Sequence, residues 1–273
     1  MDNASQWLLN PEQPLEKASR FAGLDDVGKS VVLGTFALRT RNPILVVFPT
    51  KAEARAVVDN LGWLLGKEKS ARIHYIPHLD LDYYRGLLPN PELIWERNSA
   101  LFHALNDAKG RIFITSLPAL ALKAMEPMEF LNSVKILKKD ASQDRDELVH
   151  SLLDLGYQKQ PNAYDPGVFA VRGGVIDIFS PLYPLPFRLE FFDELIEEIR
   201  FFDPKSQRSA DSVDQVYAIP AGQSVLPAGV KLETSLALIK ERMDSLGMPK
   251  PDRDQLLERL RDRTIPADSL FLY

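Results

Sequence analysis

The 273-residue chain carries a net charge of −5, with 45 % apolar and 26 % charged residues, so it can bury a sizeable core and is long enough for roughly two domains. It has no cysteine and only four scattered histidines, which excludes disulfides and thiolate zinc sites and leaves no metal-ligand spacing. No apolar run approaches the roughly 20 residues of a membrane span and the start lacks a signal-peptide pattern, so a cytoplasmic location without membrane contact is expected.

All of the negative excess falls in residues 134–217, which hold 15 acidic and 10 basic side chains, while the flanking segments are balanced. A surface that binds DNA on its own normally shows the opposite sign, because phosphate neutralisation supplies most of its affinity. The first segment alternates helices and near-continuous apolar strands. Helices are expected over residues 30–39, 51–65 (stopped at Gly66), 91–106 and 117–125, and strands over 43–48, 72–76 and 111–115. That order predicts a parallel sheet with helices on both faces. Residues 16–21 read as a charged helix. A proline-rich loop over 77–91 carries Tyr83, Tyr84 and Arg85.

Pro127 and the charged run at 137–140 mark a boundary. Beyond it come an amphipathic helix over 142–155, closed by Gly156, and then antiparallel strands. Two charged helices over 232–246 and 252–263 finish the chain around a Gly-Met-Pro-Lys-Pro break. The last residues, Asp-Ser-Leu-Phe-Leu-Tyr, are apolar, as expected of the N-terminal piece of a longer protein. The fold class is therefore α/β, with an α+β antiparallel-sheet domain inserted into a parallel-sheet domain. The expected segments are 1–133, 134–217 and 218–273.

Gly23-Leu-Asp-Asp-Val-Gly28-Lys29-Ser30 satisfies the phosphate-binding pattern G-x4-G-K-[ST]. A working loop of this kind cradles phosphates with backbone N–H groups, sets its lysine on the terminal phosphates and its hydroxyl on Mg²⁺. Here the preceding residues read as a helix rather than a buried strand, and no acidic Mg²⁺-binding run ends a strand downstream. Asp25 and Asp26 also sit inside the loop, each opposing a phosphate by roughly 1 kcal/mol at about 4 Å in water. Gly23, Gly28, Lys29 and Ser30 are therefore read as a degenerate cofactor motif, with no cofactor expected for this chain and no catalytic or metal-binding residue assigned.

The stretch FRLEFF-DE-LIEEIRFF has the form of a β-hairpin around an Asp193-Glu194 turn. Alternation puts Phe187, Leu189 and Phe191 on one face and Arg188, Glu190 and Phe192 on the other, leaving a large aromatic among charges. Together with the preceding VFAVRGGVIDIF and the following FDPKSQRS, this stretch closely resembles the module shared by the excision-repair helicase UvrB and the transcription-repair coupling factors. The resemblance covers about forty residues. It implies a docking domain for the damage-recognition ATPase UvrA.

On that resemblance Arg172, Arg188 and Phe192 are expected to contact UvrA, with Glu190, Asp193 and Glu194 as rim residues. Each has a plainer alternative: Arg172 as a solvated arginine beside the Gly173-Gly174 turn, Arg188 in an ion pair with Glu197 or Glu198, and Phe192 packed on the 142–155 helix if a bulge inverts the faces. Asp177 is expected to cap or pair locally, Phe201-Phe202-Asp203-Pro204 to end a strand packed into the core, and Gln207-Arg208-Ser209 to tie strands together. The family also implies a degenerate helicase-like domain 1A (1–133), a UvrA-interaction domain 2 (134–217) and a domain 1B (218–273). The resemblance further implies that, at full length, ATP with Mg²⁺, RNA polymerase and duplex DNA engage other domains, and that the C-terminal domain masks the UvrA-binding face. The competing expectation is a fragment of an ATP-dependent UvrB-type helicase.

Overall fold

A computed structural model describes residues 22–80, 90–222 and 232–261. The expected helix at 16–21, Tyr83 to Arg85 and the apolar last residues lie outside them. The chain is mixed α/β with both parallel and antiparallel sheets, and it divides into two compact units. Unit 1 holds described residues 22–79 and 103–123; unit 2 holds the rest. No helix among the described residues is long and apolar enough to cross a membrane.

Unit 1 is built on a three-stranded parallel sheet in the order β1 (Ile44–Phe48), β3 (Ile112–Ser116), β2 (Ile73–Ile76). Helices α1 (Asp26–Arg39) and α2 (Lys51–Ser70) pack together, and Ala37, Ala54, Val57 and Leu61 bury the sheet face formed by Phe48, Tyr75, Ile112 and Ile114. The backbone leaves helical geometry at Gly66 (φ 70°), as the sequence predicts, but one more turn then runs to Ser70. Glycine tolerates that positive φ without a steric penalty. The apolar run of β1 predicts burial on both faces, yet among the described residues Leu45 and Val47 are exposed. Only one helical turn, α4 (Leu117–Leu120), forms where a longer piece is expected, and Glu126 is extended. The following Pro127 disfavours helical geometry at that residue.

Unit 2 includes most of α3 (Pro91–Asn106), α5 (Pro127–Ser133), and β4 (Lys135–Lys138), which pairs antiparallel with β11 (Gln215–Ala218). Its centre is a six-stranded sheet ordered β10-β9-β8-β7-β6-β5. The strands are β5 (Gln158–Lys159), β6 (Val168–Arg172), β7 (Val175–Phe179), β8 (Phe187–Phe192), β9 (Leu195–Phe202) and β10 (Ser209–Ser212). Helix α6 (Arg145–Asp154) starts at an Asp144 cap that accepts the Glu147 N–H at 2.7 Å. Its Leu148 and Leu152 are buried with Phe169, Ile176, Ile178, Phe187, Leu189 and Ile199 from one sheet face. Helices α7 (Leu232–Ser245) and α8 (Lys250–Arg261) close their own small core on Ile239 and Met243.

The second face of the unit 1 sheet carries a compact charge cluster. His74 stacks on Phe113 and lies 4.3 Å from His103, ring centre to ring centre; its Nε2 is 2.8 Å from an Arg111 nitrogen. Burial, reinforced by His103 and Arg111, pushes the His74 imidazole down to about 3. The unfolded chain takes up this proton near pH 6.5 while the folded chain resists it. Stability should therefore be lost progressively as pH falls from about 6.5 towards 3. Melting temperature measured against pH should show that decline in the parent, and a shallower one in His74→Gln.

Candidate docking surface

The turn joining β6 and β7 is Gly173-Gly174, with Gly173 at φ 55° in open space. The turn joining β8 and β9 is Asp193-Glu194, with Asp193 at φ 56°, a conformation that aspartate tolerates better than most residues. The two turns lie side by side at one end of the sheet, because the Phe191 N–H donates to Gly174 O at 2.8 Å. Ladder partners share a face, so the pairings Arg172–Val175, Val175–Glu190 and Glu190–Glu198 set Arg172 and Glu190 on one surface. Asp177, Arg188 and Arg200 form the next row of that same surface, facing away from α6.

Phe192 is 70 % exposed on this outer surface. A bulge does occur in the hairpin: Glu190 pairs with Glu198 and Phe191 with Ile196, leaving Glu197 as the extra residue. The insertion falls in β9, so the alternation of β8 is undisturbed and Phe192 stays outside while Phe191 packs at the core edge. Packing of Phe192 on α6 does not occur.

Arg188 is spent differently from the plain ion pair considered above. Its Nε and Nη2 reach both carboxylate oxygens of Asp177, at 2.6 and 2.8 Å, in a two-pronged pair. Nη2 also donates to Gln207 Oε1 at 3.0 Å, and the guanidinium lies 4.6 Å from the centre of the Phe202 ring. Asp177 is 3 % and Arg188 18 % exposed at the side chain. The expected partners are thus corrected: Glu198 pairs with Arg200 at 3.3 Å, Arg200 also meets Glu190, and Glu197 has no ion-pair partner among the described residues. Asp177 pairs locally and Gln207 ties strands, both as expected. The Asp177 hydrogen bond holds the Arg188 guanidinium above its ordinary value.

Arg172 is exposed and donates from Nη2 to Pro161 O at 2.7 Å, with Asn162 Oδ1 as a second acceptor. Glu194 and Asp193 are exposed on the turn, and Glu194 O accepts the Gln143 N–H at 2.7 Å. Ile196 exchanges backbone hydrogen bonds with residues 140 and 141 at 2.8 and 3.1 Å, so the tip is braced from its far side. Arg145 reaches Gly173 O and lies 6.0 Å from the Phe191 ring centre. Sequence reasoning does not single out Arg145, Asp177 as partner of Arg188, or Arg200; strand register reveals the last two, and the packing of α6 against the β6–β7 turn reveals Arg145.

The residues of the phosphate-binding pattern lie in unit 1. Helix α1 starts at Asp26, two residues before Gly28, and Asp25 caps it by accepting the Gly28 N–H at 2.7 Å. Ser30 is buried and donates its hydroxyl to Asp26 O at 2.6 Å. The Lys29 ammonium pairs with Asp26 at 3.0 Å and Glu53 at 3.3 Å, which raises it above its ordinary value, the Asp26 hydrogen bond leading. The Gly28 N–H, the Lys29 ammonium and the Ser30 hydroxyl are thus each bonded within the chain.

Residues 136–223 match the family described as UvrB interaction domain. Over 247 residues, 89 % of this chain, the sequence is 31 % identical to the transcription-repair-coupling factor of Myxococcus xanthus. Over most of its length the chain is thus similar to transcription-repair-coupling factors. The corresponding factor of Haemophilus influenzae is 30 % identical over 192 residues (70 % of the chain), and that of Bacillus subtilis 28 % over 212 residues (77 %). The chain spans about a fifth of the length of these curated relatives, at 20, 16 and 18 % respectively. In family terms the domain match encloses the whole six-stranded sheet with both turns.

Removing one partner of the Arg188–Asp177 pair strands the other in a nearly closed site, which costs roughly 3 kcal/mol. Arg188→Met should therefore lower the urea midpoint clearly, whereas Phe192→Ala should leave it nearly unchanged, both read by circular dichroism. Charge reversal at Arg188 cannot separate docking from folding.

Proposed function

We propose that this chain is a non-hydrolytic recruitment module of a transcription-repair coupling factor, which docks UvrA through the outer surface of the six-stranded sheet. The reading rests on one observation: Phe192 stands exposed at a braced hairpin tip, on the same surface as Arg172, within the segment matching the UvrB interaction domain. An exposed aromatic with a nearby arginine is the composition of an interface hot spot. Arg172 supplies the accessible guanidinium for a partner carboxylate. Glu190, Asp193 and Glu194 form the rim, and Arg188 contributes chiefly by holding the surface in register.

Residues 134–217 are the docking domain in this reading, flanked by a degenerate helicase-like segment (1–133) and a 1B-like segment (218–273). In the longer protein, RNA polymerase, duplex DNA and ATP with Mg²⁺ would engage other parts, in the cytoplasm. ATP does not fit the pattern at Gly23–Ser30: its Gly28 N–H, Lys29 ammonium and Ser30 hydroxyl are held by Asp25, Asp26 and Glu53, and two carboxylates oppose a triphosphate.

The rival reading, an ATP-dependent UvrB-type helicase fragment, rests on the intact G-x4-G-K-S spelling. It requires saturable heat on titration with ATP that Lys29→Ala abolishes; calorimetry should show none. Capture by purified UvrA tests the proposal directly. Arg172→Glu and Phe192→Ala should each weaken binding by about 30-fold, the equivalent of roughly 2 kcal/mol, with unchanged melting. Variants that bind like the parent would refute the assignment.

A further inference from the structure

Leu195 faces Phe192 directly across the β8–β9 ladder and is itself 39 % exposed. The neighbouring Ile196 is buried in the core, so alternation turns Leu195 to the outer surface, beside Phe192. Residues 190–198 carry Glu190, Asp193, Glu194, Glu197 and Glu198 and no basic residue, and of their four apolar side chains Phe191 and Ile196 turn to the core. Arg200 offsets Glu190 and Glu198. Asp193, Glu194 and Glu197 have no cationic partner among the described residues.

The backbone beneath this pair is held on both sides. Phe192 sits one residue from the Phe191–Gly174 hydrogen bond, and Leu195 bridges Ser142 while its neighbours bond to residues 140, 141 and 143. A pair held this way loses little conformational freedom on association, and that saving goes to affinity.

Building on the docking reading above, we propose that Phe192 and Leu195 form a single two-residue apolar anchor that enters one pocket of UvrA, and that lysine or arginine side chains rim that pocket opposite Asp193, Glu194 and Glu197. The apolar pair sets the dwell time of the complex. The unpaired carboxylates steer the encounter, an effect that salt screens.

The test is a double-mutant cycle on binding of the chain to purified UvrA. Leu195→Ala should weaken binding about tenfold, and the Phe192→Ala/Leu195→Ala double variant should lose less than the product of the single losses, because the two side chains share one pocket. Leu195→Met, which keeps the apolar volume, should bind within about threefold of the parent; a loss in Leu195→Met equal to that in Leu195→Ala overturns the anchor. Glu197→Lys should slow association and flatten its salt dependence, and an unchanged on-rate overturns the cationic rim. If Leu195→Ala binds like the parent while Phe192→Ala does not, the shared anchor is wrong and the docking reading stands. If the parent itself fails to bind UvrA, both fall together.

Discussion

Side-chain alternation along β8 governs the character of this surface. Phe187 and Leu189 fill the core over α6, which commits Arg188, Glu190 and Phe192 to the other side. A single extra residue in β8 would have turned Phe192 inwards and exposed the core positions instead. The bulge is instead in β9, at Glu197, where it adds local twist without changing the parity of β8. An exposed phenyl ring at the hairpin tip is thus a consequence of where one insertion falls.

The arginines on this surface divide between two tasks. Arg188 sits above a nearly buried carboxylate, bonds it through two nitrogens, and covers the ring of Phe202, joining β7, β8 and β9 with the loop that carries Gln207. Arg200 joins Glu190 to Glu198 in the next row. Arg172 stands at the end of β6 with its bonds directed to a loop carbonyl and an amide oxygen. Those neutral acceptors compensate its charge less than a carboxylate does, so it is the guanidinium best placed to pair with an incoming anion.

In unit 1 a familiar spelling takes a different physical form. The phosphate-binding pattern depends on a loop whose N–H groups are free, yet Asp25 at the cap position winds Gly28 and Lys29 into the first turns of α1. A carboxylate at a helix N-terminus satisfies the same N–H groups and the same dipole that a phosphate would. Here the Asp25 carboxylate accepts one such N–H, that of Gly28.

Much of this arrangement could be read from the residues alone. The hairpin, its Asp193-Glu194 turn, the sorting of Phe187 to Phe192 into two faces, the helix–strand alternation of the first segment and the α3 limits all follow from local periodicity, because strand and helix repeats are short-range properties of the backbone. The partner of Arg188, the exposure of Leu45 and Val47 among the described residues, and the bracing of the hairpin tip by residues 140–143 did not follow. They depend on which strands lie side by side and in what register across connections of several residues, and no local repeat encodes that. Sequence determined which side of each strand a residue occupies; tertiary structure alone decided what stands opposite it, since pairing across a sheet is fixed by the packing of the whole core.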